Sequence, residues 1–103
     1  PTGRLLLTRP GYNVNLEAIL EKAAATGRII EFNANPFRLD LDWRWCQRAK
    51  ELGIPIAINP DAHTVAELDL TRTSIPVVRK GWLEKADVFN TKTTAEIIAF
   101  FAK

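Results

Sequence analysis

Apolar residues recur along the chain at two different spacings, and these spacings predict helices and strands in turn. Between Asn15 and Gly27 the spacing is three and four residues, with apolar positions at Leu16, Ile19, Leu20, Ala23 and Ala24. Such a stripe is typical of an amphipathic helix with one buried face. Asn15 is a suitable N-cap, and Gly27 suits the left-handed residue that often ends a helix. We therefore predict the first helix here.

Short apolar runs of strand length follow a different pattern. Ile29–Asn33 and Ile54–Ile58 both read as buried strands, and the second is bounded by Gly53 and by the turn-forming pair Asn59-Pro60. A third run, Arg4–Thr8, fits either a buried strand or an apolar loop. The two clear runs lie on either side of a helical segment, which makes them candidates for neighbouring parallel strands.

The segment between these runs predicts a second helix. Asp40 or Asp42 is its N-cap, Gly53 ends it, and the residues expected to face inward are Trp43, Cys46, Ala49 and Leu52. Strands that alternate with helices favour an α/β fold with parallel strands and right-handed crossovers.

The second half of the chain predicts further helices. Thr64–Glu67 has the spacing of a capping box and indicates a helix start. A helix over Asp69–Lys80 is expected next, with Pro76 in its first turn or at a kink. Val88–Asn90 predicts a short last strand, and a second capping box at Thr93–Glu96 opens a terminal helix.

Composition narrows the class of protein without deciding its function. The chain has 103 residues, 47% of them hydrophobic, which fits one domain or a piece of one. It carries a net charge of +2, which permits nucleic acid as a partner without indicating it. The sequence predicts no membrane span and no signal peptide. Because it begins at Pro1 and contains no Met, we expect an excised segment of a longer protein.

The one cysteine and the third tryptophan are predicted to be core residues. A single cysteine cannot form an internal disulfide, which fits a reducing compartment. Cys46 lies on the apolar face of the second predicted helix, and this position favours packing over nucleophilic chemistry. Trp82 follows the helix that ends at Lys80 and is expected in the core as well.

The strongest chemical signal comes directly after the second strand, where Asp61 and His63 stand two residues apart. Ligands collect at the carboxyl ends of parallel strands, and residues i and i+2 of extended chain point the same way. A carboxylate and an imidazole could therefore converge on one Zn, Mn or Fe ion. A surface turn with an incidental histidine explains the same spacing.

Other polar residues are weaker candidates. Glu31 and Asn33 share one face of the first strand, where Glu31 fits a metal ligand, a general base or a structural carboxylate. Asn33 and Asn35 bracket a turn and could hydrogen-bond the backbone or a substrate. Arg79 lies in the last turn of a helix, where a cation suits both helix capping and phosphate binding.

Four segments, taken in order, resemble the C-terminal part of the PHP (polymerase and histidinol phosphatase) domain of bacterial X-family DNA polymerases. They are Pro1–Arg4, Glu31–Leu41, Asn59–His63 and Arg79–Leu83. The resemblance covers residues 1–103 and implies part of a distorted seven-stranded (β/α) barrel with alternating βα units. It also implies divalent metals, with manganese first and zinc, iron or magnesium as alternatives, bound where the strands end.

The activity that the resemblance implies is a 3′–5′ exonuclease and phosphoesterase of a cytoplasmic DNA-repair polymerase. Its partners would be a DNA 3′ end, or another phosphate ester, and the rest of the polymerase chain. Asp61 and His63 match the last metal-binding motif of the family. Glu31 and Asn33 are expected to support the metal shell or contact substrate, and Arg4, Arg38 and Arg79 are expected phosphate contacts.

The resemblance also implies that this segment lacks the upstream metal-binding histidines of the family. We therefore expect the isolated chain to be inactive, and two copies of it to pair so that open sheet edges are hidden. Two other interpretations stay open. One is a stand-alone PHP phosphatase acting on a small monoester such as histidinol phosphate, and the other is a non-catalytic domain with a decayed metal site.

Overall fold

The computed structural model of the chain describes residues 1–102, which form a mixed α/β structure. Its four helices are α1 (Leu16–Ala25), α2 (Trp43–Glu51), α3 (Leu70–Lys80) and α4 (Thr94–Phe101), and its two strands are β1 (Ile30–Asn33) and β2 (Ile56–Asn59). Short 3-10 turns lie at Ala66–Asp69, Lys85–Asp87 and Phe89–Thr91. Within the described residues, no helix is long and apolar enough to cross a membrane.

Strands β1 and β2 pair in parallel, as the alternation of apolar runs and helices predicted. Ile30 is opposite Ile56 and Asn33 is opposite Asn59. The strand pleat sends alternate side chains to opposite faces. Phe32, Ile56 and Ile58 are therefore buried against the helices. Residues 31, 33, 57 and 59 lie on the other face, which contains the polar side chains.

The helices cover the apolar face of this sheet. The fully buried residues include Leu20 of α1, Cys46 and Ala49 of α2, and Val78 of α3. Asn15 caps α1 by accepting a hydrogen bond from the amide of Ala18, as predicted. In contrast, the predicted core residue Ile19 is 44% exposed, because it lies at the edge of the buried stripe.

Gly81, the C-cap of α3, lies directly against α2. A Cβ atom at this position would lie 2.7 Å from the Cβ of Cys46 and 2.8 Å from the carbonyl oxygen of Trp43. Only a glycine fits such a contact without moving a helix. The N-cap of α2 is Asp42 and not Asp40.

Two tryptophans lie differently from their predicted positions. Trp43 was expected to face the core, but it is half-buried at the surface, beneath the ammonium group of Lys80. Trp45 packs against the core instead. Trp82 was also expected in the core and is 65% exposed. The expectation for Trp43 came from the spacing within one helix and that for Trp82 from its place after a helix, whereas burial depends on where the neighbouring helix lies.

The outer edge of β2 is covered by a segment that was predicted to be a strand. Residues 89–91 form a 3-10 turn, and only Val88 makes a single parallel bridge, to Ile56. The side chain of Asn90 replaces a strand. Its Oδ1 accepts from the amide of Ile58 at 2.7 Å, and its Nδ2 donates to the carbonyl of Ile58 at 2.9 Å.

Other expectations also changed at turns. Residues 5–9 form a tight turn joined by a bridge between Leu5 and Arg9, so the apolar loop is the correct alternative there.

Pro76 lies in the middle of α3 and not in its first turn. The helix start expected at Thr64 is a 3-10 turn beginning at Ala66. The capping box at Thr93 and Glu96 is confirmed.

The edge of β1 is partly covered as well, because Asn33 forms an antiparallel bridge with Asp40. Together with Asn90, this bridge leaves less open edge than a bare strand pair would have. The described residues therefore form a two-stranded parallel sheet with its helices, and the remainder of the implied barrel and the pairing of two copies stay predictions.

Ion pairs connect the elements around this core. Arg48 of α2 bonds Glu17 of α1, which holds the pKa of that carboxyl below its usual range. Lys50 of α2 bonds Asp87 at 2.6 Å and so fixes the 3-10 turn beside β2. At the start of α2, the hydrogen bond from Arg44 lowers the pKa of Asp42 from 3.8 to about 2.

Replacement of Asn90 should loosen the covered edge of β2. In the Asn90→Ala variant both polar groups of the Ile58 backbone lose their partner, so we expect the free energy of unfolding to fall by about 1–2 kcal/mol. Urea denaturation followed by circular dichroism measures this decrease. The control is Asn13→Ala, since Asn13 is exposed and makes no hydrogen bond recorded within residues 1–102. Equal stability of both variants would contradict the role given to Asn90.

The Asp42→Asn variant should show how much the negative charge of this N-cap contributes to stability. Asparagine retains the capping bond but removes the ion pair, so we expect stability to fall by up to about 1 kcal/mol at pH 7. Because the folded-state pKa is depressed, the carboxylate stabilises the fold above its ordinary pKa of 3.8. That contribution disappears as the pH falls toward 2, where thermal melts of the two proteins should converge. A difference that is constant with pH would contradict this account.

Candidate metal and phosphate site

The polar face of the sheet is organised by two parallel hydrogen bonds between side chains. Glu31 accepts from the Nδ2 of Asn59 at 2.9 Å, and Asn33 donates from its Nδ2 to the Oδ2 of Asp61 at 3.3 Å. Each β1 residue thus bonds to the residue two positions beyond its partner on β2. This ladder brings Asp61 back toward the end of β1.

Asp61 and His63 form a single turn directly after β2. Asp61 has a φ of 54°, a left-handed conformation that aspartate tolerates better than most residues. The backbone carbonyl of Asp61 lies 2.8 Å from the Nδ1 of His63. A carbonyl can only accept, so Nδ1 carries the proton in this hydrogen bond, and in a neutral imidazole Nε2 is then the nitrogen with the free lone pair. The imidazole is 78% exposed, and its free nitrogen is accessible to a ligand.

Glu67 fixes the backbone of His63 from the other side. Its Oε2 accepts from the amide of His63 at 2.7 Å, while its own amide donates to Thr64 Oγ1 at 3.3 Å. The predicted capping box is therefore shifted by one residue, because the carboxylate reaches His63 and not Thr64. The spacing of Thr64 and Glu67 signalled this support, although the sequence did not identify the residue that receives it.

Arg38 is the cation nearest to Asp61. Its Nε lies 3.6 Å from the Oδ2 of Asp61, and its Nη1 donates to the carbonyl of Arg4 at 3.3 Å. The side chain is 30% exposed, so it lies at the surface beside the carboxylate. Among the predicted phosphate contacts, Arg38 is the one that the structure places beside Asp61.

The other predicted residues serve the loop or lie apart. Arg4 donates to the carbonyls of Arg38 and Leu39, and its guanidinium is 3.6 Å from Asp42, so it orders the 38–42 loop. Arg79 is exposed near the end of α3, and no ion pair or side-chain hydrogen bond recorded within residues 1–102 joins it to Asp61 or His63. Phosphate binding by Arg4 and Arg79 stays a prediction.

Asparagines shape the loop that carries Arg38. Asn33 Oδ1 accepts from the amide of Asn35 at 3.0 Å, and Asn35 Oδ1 accepts from the amide of Phe37 at 2.9 Å. Both side chains therefore bond the backbone in Asx turns, one of the two uses predicted for them. Asn59, which the sequence analysis did not single out, continues the same polar face toward Glu31.

The donors of this turn suit a divalent metal but do not complete a site. Asp61 offers carboxylate oxygens and His63 an imidazole nitrogen whose tautomer is fixed, a combination found in Zn, Mn and Fe sites. Within residues 1–102 no three His, Cys, Asp or Glu side chains come together to hold a metal ion. The residue types therefore suit a metal ion, but a complete site needs further ligands.

Cysteine chemistry plays no part here. Cys46 is fully buried, and burial raises the pKa of its thiol to about 12. A thiol with such a pKa is not a nucleophile at neutral pH. The interpretation of Cys46 as a core residue is confirmed.

Fold and site together define an α/β segment with a polar, partly cationic site where two parallel strands end. No family model matches the chain. Over all 103 of its residues the chain is 39% identical to the DNA polymerase/3'-5' exonuclease PolX of Bacillus subtilis (strain 168). This alignment covers 18% of that protein, so the chain spans less than a fifth of the length of this relative. This identity confirms the expected similarity to a bacterial X-family polymerase over the length of the chain.

Removal of the Arg38 charge should tighten metal binding at Asp61. The guanidinium competes with a cation for Asp61 Oδ2, and an exposed pair of this kind contributes up to about 1 kcal/mol. We therefore expect Arg38→Gln to lower the Kd for Mn²⁺ about two- to fivefold, measured by electron paramagnetic resonance of the free ion. Arg38→Lys, which retains the charge, is the matched control. Weaker binding by Arg38→Gln than by the native chain would contradict the competition.

Proposed function

We propose that this chain is the C-terminal segment of a PHP-type phosphoesterase domain. The complete domain would act as a 3′–5′ exonuclease within an X-family DNA-repair polymerase. The observation that carries the proposal is the Asp61–His63 turn after a parallel strand. In this turn Nδ1 of His63 is hydrogen-bonded to the backbone, and Nε2 is the ring nitrogen left to bind a metal ion. The 39% identity to a polymerase/exonuclease over the whole chain supports the same function.

Each residue of the site has a distinct role in this proposal. Asp61 and His63 hold a divalent cation, with manganese as the first choice and zinc, iron or magnesium as alternatives. Asn33 orients the Asp61 carboxylate, and Glu67 holds the backbone of His63. Arg38 lies beside the same carboxylate, where it can bind a phosphate of the DNA 3′ end once the cation has taken its place at Asp61.

Bound divalent cations would neutralise the scissile phosphate, activate water and stabilise the departing oxygen. Two side chains are too few for this work, because catalytic metals need several protein ligands. The remaining ligands would come from the rest of the polymerase chain, which is therefore a partner of this segment. For that reason the isolated chain is proposed to be inactive.

The test uses the full-length protein that contains this chain and a single-stranded oligonucleotide labelled at its 5′ end. We expect Asp61→Asn and His63→Gln each to slow Mn²⁺-dependent 3′ shortening at least about 100-fold, since removal of a ligand should cost no less than removal of a supporting residue. Gel analysis of the shortened products measures the rate.

The matched acidic control is Glu21→Gln, because Glu21 is exposed on α1 and takes no part in the recorded hydrogen bonds and ion pairs of Asp61 and His63. Nucleotide addition by the same preparations reports whether each variant is folded. Shortening at the native rate by both Asp61→Asn and His63→Gln would refute the proposed role of this turn.

A further inference from the structure

A second chemical surface lies where α3 ends against α2. The ammonium group of Lys80 is 4.6 Å from the ring centre of Trp43, and the guanidinium of Arg44 is 5.6 Å from the same ring. Arg79 precedes Lys80 in sequence, Trp82 follows it after Gly81, and both are exposed. We call this set the Trp43–Trp82 surface, consisting of Trp43, Arg44, Arg79, Lys80 and Trp82.

The backbone beneath this surface is held firmly. Gly81 lies against Cys46 and the carbonyl of Trp43, and Gln47 Nε2 is 3.4 Å from the carbonyl of Lys80. Leu83 is buried directly beyond it. The side chains of residues 79–82 are therefore presented on a rigid corner between two helices, which reduces the ordering cost of binding.

Trp82 combines an unusual backbone conformation with an exposed ring. The residue has a φ of 66°, a left-handed conformation that is unfavourable for a bulky side chain. Its indole is 65% exposed. Strained residues that also expose a large aromatic ring are often binding residues, because the fold gains nothing from either feature.

The charge of this surface is not neutralised by the chain itself. Arg44 forms an ion pair with Asp42 at 2.9 Å. In contrast, the ion pairs recorded within residues 1–102 give neither Arg79 nor Lys80 a carboxylate partner. Lys80 lies over the Trp43 ring, and Arg79 and the exposed Trp82 are close to it in sequence. This combination of unpaired cations and indole rings suits a partner that is anionic and also has flat rings to stack.

We infer that the Trp43–Trp82 surface binds single-stranded DNA. Bases would stack on Trp82 and on the open part of Trp43, and phosphates would pair with Arg79 and Lys80. An acidic peptide would match the charge but not the exposed rings, and duplex DNA hides its base faces. The surface contains neither Asp61 nor His63, so binding requires no metal. The choice of DNA rests on the proposed exonuclease function, for which this surface would hold the strand behind the reacting end.

Fluorescence anisotropy of a labelled thymidine oligonucleotide in EDTA tests the inference on the 103-residue chain. We expect Trp82→Ala to weaken binding about tenfold, because a stacked base contributes strongly to single-strand affinity. The control is Tyr12→Ala, which removes another ring that is 67% exposed. Since Trp82 is exposed, circular dichroism should show the native fold in its variant.

A paired charge variant, Arg79→Gln with Lys80→Gln, tests the pairing with phosphates. We expect the slope of log K against log salt to become shallower by about 1.4, because each cation removed from a single-strand site changes this slope by about 0.7. Arg28→Gln, at an exposed cation elsewhere, should leave the slope unchanged. Because EDTA removes divalent metal, binding measured in this way is independent of the proposed hydrolysis, and a failure of one can be told from a failure of the other.

Three results would overturn the inference. The first is no binding by the native chain, and the second is native affinity in both Trp82→Ala and the paired charge variant. The third is equal affinity for a polyglutamate peptide of the same charge, since an acidic protein segment would then be the better partner.

Discussion

The parallel pairing of β1 with β2 is the constraint on which the rest of the structure depends. Its register buries Phe32 and Ile58 on one face and leaves Asn33 and Asn59 on the other. The same register brings the chain after β2 back to Asn33, so that Asp61 can accept a hydrogen bond from the Asn33 side-chain amide. The hydrophobic core and the polar site are thus two faces of one strand pair, and a slip of one residue would exchange them.

Two strands alone make a weak sheet, and the chain compensates with side chains. Asn90 bonds both polar groups of Ile58, and Asp40 bridges the far edge of β1 at Asn33. These contacts satisfy backbone groups that neighbouring strands would satisfy in a larger sheet. They also steady the point where the site begins, because Asn59 and Asp61 follow Ile58 closely. The stability of the sheet and the geometry of the candidate site therefore depend on the same short stretch of backbone.

Local signals predicted most of the helices and both strands, since apolar spacing and capping residues act within a few positions. The failures occurred where a distant segment decides. Nothing near Asn90 indicated that its side chain would replace a strand, and the positions of Trp43 and Trp82 depend on how closely α3 approaches α2 at Gly81. For the site, the sequence predicted extended chain from Asp61 to His63, whereas Asp61 has a left-handed backbone with a φ of 54° and the two residues form a turn. The position of Arg38 beside Asp61 depends on Asx turns in the loop after β1, far upstream and beyond the reach of any spacing rule.

The central claim is that a divalent metal binds at the end of β2 and not at another acidic cluster of the surface. Paramagnetic broadening of amide resonances by trace Mn²⁺, recorded on the isotopically labelled chain, tests it most directly. The account predicts that Asn33, Asp61 and His63 broaden first and that Asp61→Asn abolishes this effect. Broadening centred on Glu17 and Glu51, or on Glu84 and Asp87, with the signals of Asp61 and His63 intact, would contradict it.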